Sequence, residues 1–169
     1  MNDSVRSLTR SALSAAAGVV ILYLGSVLPG ARLAVLCLST LSVVFIATSC
    51  RVFWAWGCYA VTAAAALLLL PEKMLAVIYT VFFGYYPILK FKLERIGNVW
   101  LRWLLKLLAF NAALAALYAM YRIIFTELIT SALPVWALWI VANAAFAAYD
   151  FALGQMILYY LRKISGGIK

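Results

Sequence analysis

At 169 residues, 68% hydrophobic and 11% charged, with a mean hydropathy of +1.05, the chain is too apolar for a water-soluble domain of its size and reads as an integral membrane protein. The formal net charge of +9 does not point to nucleic acid, because the basic residues gather at the ends of apolar runs. The absence of histidine excludes His-based zinc sites and Ser-His-Asp or Cys-His catalysis, and Cys37, Cys50 and Cys58 lack metal-ligand spacing.

The N-terminal MNDSVRSLTR is short and polar, and an apolar run over 11–28 follows it. A basic start and a small-residue end are shared with signal peptides, but this run is long for one, and the helix count works with it retained as span one. Ala12 and Ala16 form an AxxxA pair there, and Ser14 and Gly18 a second small pair. Small residues four apart make a flat face for close helix approach. That face suits either the protein's own helices or a separate membrane partner.

Arg32 opens the second span, 33–49, and Arg51 separates it from the third, 52–70. Pro71-Glu72-Lys73 is a charged turn. The fourth run, 74–89, contains Gly84 and Pro87. Pro87 has no N–H to offer the Phe83 carbonyl, and its ring clashes with the preceding turn, so the helix should break between Phe83 and Pro87. The basic, aromatic stretch over 90–106 places Arg95, Asn98, Arg102 and Lys106 at spacings that share one helical face, facing headgroups or a partner. The fifth span covers 107–125, with Arg122 and Glu127 at its far end; a loop over 126–133 leads to the sixth, 134–161, and a basic tail.

The expected architecture is therefore one all-α domain over 1–169, an integral membrane bundle of six helices. Basic residues divide ten to three between the two sides, with Lys106 left aside, which orients both termini to the cytoplasm.

Asp150 sits about 24 Å along the last span, within a ~30 Å hydrocarbon core. A charge there costs about 2.5–3.5 kcal/mol, so Asp150 should face the bundle with a partner. Aligning spans five and six antiparallel, with Trp100 level with Leu161, brings Asn111 level with Asp150 and Lys106 with Gln155. Lys106, Asn111, Asp150 and Gln155 are the expected buried polar cluster, either a clamp or a ligand or proton site. In the outer half, Tyr79, Tyr118, Trp139 and Asn143 are the candidate ligand-binding residues, an aromatic pocket with an amide, beside Trp136.

Six short helices, the Ala12/Ala16 face and the PGARLAV turn resemble substrate-binding S components of energy-coupling factor vitamin transporters. The phrase FGYYPILK, Phe83 to Lys90, resembles an uncharacterised bacterial branch of S-component-like proteins. The resemblance implies a substrate-binding subunit for a small water-soluble nutrient in a bacterial cell membrane. It implies that Ala12 and Ala16 contact a transmembrane coupling subunit, with ATPases supplied by partners. No GxxxxGK[ST] loop is present in the chain itself. Scaffolds of the MreD type are similar in fold and transport nothing, so an envelope scaffold without a small ligand is the rival reading. Neither requires a cofactor, and no paired-carboxylate or metal constellation suggests an enzyme.

Overall fold

The computed structural model describes residues 3–124 and 135–165, all of them helical or in short connections. Helix α1 (Asp3–Val27) is followed by a 3-10 turn over Pro29–Ala31, then α2 (Arg32–Ser49) and α3 (Val52–Leu69). The fourth span is composite: α4 (Lys73–Ile78), a π-helical turn over Tyr79–Phe83, and α5 (Tyr86–Leu93). Helices α6 (Val99–Ile124) and α7 (Val135–Ser165) complete the chain. Six segments among the described residues are long and apolar enough to cross a bilayer, as the hydropathy pattern implied. The loop expected over 126–133, with Glu127, and the end of the basic tail lie outside the described residues.

The first three helices form a tight unit because α1 presents mostly small residues where it crosses α2. Ser11, Ala15, Gly18, Leu22 and Gly25 recur every three or four residues along its buried face. A Cβ at Gly25 would lie 2.5 Å from Val35 Cγ1, and one at Gly18 would lie 3.2 Å from the Ser42 hydroxyl. The Ser14 hydroxyl donates to the Ser42 carbonyl at 2.9 Å, and the Ser11 hydroxyl to Trp54 at 3.1 Å. Ala12 and Ala16 belong to the neighbouring stripe and are exposed, so they do not serve packing within the bundle.

The break in the fourth span starts earlier than Pro87 alone would dictate. The Gly84 N–H bonds five residues back, to Tyr79 at 2.7 Å. The Thr80 carbonyl, which a regular helix would have offered to that N–H, accepts the Tyr59 hydroxyl at 2.9 Å instead. Tyr59 can reach it only because residue 84 is glycine: a Cβ there would lie 2.5 Å from the Tyr59 ring. Helix α5 then restarts with Pro87 in its first turn, where a missing N–H costs nothing.

Helix α6 begins at Val99 rather than Leu107. The Asn98 side chain accepts the Trp100 N–H at 3.1 Å, an N-terminal cap that the polar residues around it obscured. Arg95, Asn98, Arg102 and Lys106 consequently do not form one face, since Arg95 precedes the cap and Lys106 is buried. At the opposite end of the bundle, Arg32 pairs with Glu72 at 2.8 Å, and the Lys73 ammonium caps the end of α3 on the Leu67 carbonyl.

Candidate functional site

Asp150 faces inward, and its carboxylate is the hub of the buried polar groups. Lys106 on α6 reaches Oδ2 at 2.8 Å. Lys90 on α5 donates to Oδ1 at 2.6 Å and to the Asp150 backbone carbonyl at 2.6 Å. The Tyr86 hydroxyl donates to Oδ1 at 2.5 Å. Glu94 completes the cluster, 3.2 Å from the Lys90 ammonium and 3.6 Å from that of Lys106. Two ammonium groups and two carboxylates leave it formally neutral.

Lys90, Lys106 and Asp150 are 1%, 4% and 3% exposed. Lys90 can come this close because Gly154 lies one turn beyond Asp150; a Cβ at Gly154 would stand 3.3 Å from its Nζ. Three of the roughly four acceptor positions of the carboxylate are filled by the protein's own donors. The cluster therefore ties α5, α6 and α7 together electrostatically and leaves little room for a ligand to bind Asp150.

The sequence reading found the Lys106–Asp150 pair and missed Tyr86, Lys90 and Glu94. Their signal was the spacing of four, which puts all three on one helical face. Lys90 was counted with the interfacial charges because basic residues follow it, yet it is among the most buried side chains. Two members of the expected cluster belong elsewhere. Gln155 is exposed, because five residues of helix turn it about 140° away from Asp150. Asn111 bonds to Asn143, not to Asp150: its Nδ2 donates to the Asn143 side-chain oxygen at 3.0 Å. Trp139 Nε1 donates to the Asn111 oxygen at 2.6 Å. The register of α7 against α6 thus differs by about five to seven residues from the expected one, between one and two turns.

The four proposed ligand-binding residues also separate. Trp139 and Asn143 meet in this trio with Asn111. Tyr79 is fully buried on the other side of the bundle, among Leu22, Leu36, Ala66 and Ala76. Tyr118 is half-buried on α6 and contributes to neither group.

Beside the charge cluster lies a different feature, which the residue pattern did not reveal. A chamber of about 650 Å³ opens between α2, the π-helical turn, α6 and α7. Its cause is an uneven distribution of bulk. Ala142, Ala145, Ala148 and Ala152 line it from α7, and Ala113 from α6. Small residues normally let helices close on one another. Here an aromatic group holds them apart: Phe110 and Phe146 stack at 4.4 Å and 8° between α6 and α7, with Phe82 edge-on to both. Fewer residues are buried in these two helices than elsewhere, 11% of the α6 span and 17% of the α7 span, against 50% for α2.

Of the residues lining the chamber, Tyr149 alone carries a side-chain oxygen or nitrogen, and Cys37 and Met156 add only weakly polar sulfur. Water needs two to four polar partners, so the chamber does not hydrate. The chamber is open along part of its surface, so its large apolar wall meets whatever surrounds the bundle. A chamber of this size is therefore a place for another molecule.

No family model, curated protein or solved structure matches the chain. Among the described residues no group of His, Cys, Asp or Glu is arranged to hold a metal ion.

Proposed function

We propose that the chain is a membrane-embedded binding subunit of the S-component kind, serving an energy-coupling factor type importer in a bacterial cell membrane. The chamber carries this reading: the bundle's own side chains leave a large apolar volume unfilled between α2, α6 and α7. Two further features support it. The exposed Ala12/Ala16 stripe lies on the most tightly packed part of the protein, a rigid surface for a coupling subunit. Removing buried Lys90 from the basic count leaves nine against three, an asymmetry that supports cytoplasmic termini.

Affinity purification of the tagged chain from its own host membrane tests the reading. A transmembrane coupling subunit and ATPases should co-purify with the unaltered chain. They should be lost with Ala16→Leu, while thermal stability in detergent stays within about 1 kcal/mol, because Ala16 is exposed. A purified chain without such partners would overturn it.

An envelope scaffold is the second reading, favoured by one observation: the donors to Asp150 come from the protein itself, so its polar centre acts as a lock. Loss of cell shape on deletion, without loss of any uptake, would support the scaffold.

A further inference from the structure

The chamber's shape and lining specify its occupant more narrowly than the binding-subunit reading on which this rests. Along α7 the lining runs from Leu138 to Met156, 18 residues or about 27 Å. That is close to the full ~30 Å thickness of a hydrocarbon core. Leu117 and Leu33 extend the same apolar wall onto α6 and α2. A compact water-soluble nutrient would need several convergent polar groups. Nearby, Asn111, Asn143 and Trp139 are committed to one set and Lys90, Lys106 and Asp150 to the other, which leaves the buried Tyr149 hydroxyl as a single group at the wall.

The chamber also has a way in. The chamber is not enclosed but open along part of its surface, and Ala145, Ala148 and Ala152 of α7 line it. In a bilayer, the outside of the bundle is lipid.

We infer that the chamber takes an extended acyl chain of a membrane lipid, admitted laterally along α7, rather than a water-soluble nutrient. Its selectivity is for length and flexibility of hydrocarbon, since the Tyr149 hydroxyl and the Cys37 thiol are too few hydrogen-bonding groups to hold a headgroup.

Photolabelling separates this occupant from lipid that merely coats the protein. The probe is a phosphatidylcholine carrying a diazirine on one acyl chain, added to the full chain in detergent and competed with unlabelled phosphatidylcholine. Chamber positions such as Ala145, Ala148 and Leu117 should label saturably. Phe151, 69% exposed on the outer face of α7, should label without saturating. Ala148→Phe fills the chamber and should reduce labelling of its other residues at least tenfold, leaving Phe151 unchanged. Should Ala148→Phe not fold, the smaller Ala142→Leu is read in the same way. Equal, unsaturable labelling of chamber and outer face would overturn the inference, as would undiminished chamber labelling in a folded variant. The co-purification experiment reports on the importer separately: partners without saturable labelling would leave the binding subunit standing with a different ligand.

Discussion

Removing Asp150 should be far more harmful than removing either lysine that faces it, and a second substitution should repair part of the damage. The Lys90 and Lys106 ammonium groups lie 3.2 and 3.6 Å from the same Glu94 oxygen, so they are less than about 7 Å apart. At an effective dielectric constant of ~20, two like charges at that separation repel by about 2.4 kcal/mol. With Asp150 present, each ammonium is held by a carboxylate oxygen within 2.8 Å. Asp150→Asn removes that carboxylate and exposes the repulsion. Breaking one buried pair costs about 3–5 kcal/mol, and this change breaks two, so the loss should reach or exceed the top of that range. Lys106→Met also breaks a pair, but it removes the repulsion and leaves Asp150 bound to Lys90 and Tyr86; about 1–3 kcal/mol is expected.

Adding Lys106→Met to Asp150→Asn should accordingly return about 2 kcal/mol. Unfolding of the purified full chain by sodium dodecyl sulfate in mixed micelles, followed by tryptophan fluorescence, measures all three variants. The reasoning is refuted if the double variant is no more stable than Asp150→Asn alone, or if Lys106→Met costs as much as Asp150→Asn. Were Lys106 free to snorkel to the interface, losing its partner would be mild. Its burial at 4% exposure removes that route.

Three further outcomes follow from the packing. Gly84→Ala should cost about 1–3 kcal/mol by driving a Cβ into the Tyr59 ring, and Tyr59→Phe about 1 kcal/mol through the lost bond to Thr80; the same micelle unfolding reports both. Gly25→Ala should destabilise by a similar amount through its 2.5 Å contact with Val35, and Val35→Ala in the same chain should recover most of the loss if that contact is the cause. Asn111→Leu strands both the Trp139 indole N–H and an Asn143 amide, so about 1–3 kcal/mol should be lost, with a shift in Trp139 emission; unchanged emission would mean that the trio does not form.

Hydropathy made the six spans legible because each run matches the bilayer thickness, and Pro87 announced a break through its missing N–H. Inward-facing Asp150 followed from the cost of a charge in lipid. The helix register did not follow, because it depends on which side chains interlock. The α6/α7 alignment was anchored on Trp100 and Leu161, neither of which sets it, whereas Phe110 and Phe146 form the stack between the helices. Lys90 was misplaced for a related reason: a lysine beside other basic residues looks interfacial unless Tyr86 and Glu94 are placed on its face. The chamber was least legible, since an alanine stripe ordinarily signals close approach and only the bulk of neighbouring rings reverses that meaning.

The separation of the locking charges along the chain also orders the protein's biogenesis. Synthesis is vectorial, so Lys90 and Lys106 enter the membrane before Asp150 has been made, 60 and 44 residues later respectively. Until α7 arrives, the two ammonium groups share Glu94 alone among the acidic members of the cluster. Docking of α7 neutralises them, so the two lysines carry an unmet positive charge until Asp150 is in place. The lysines should accordingly lose their accessibility to amine-reactive reagents only once α7 has docked.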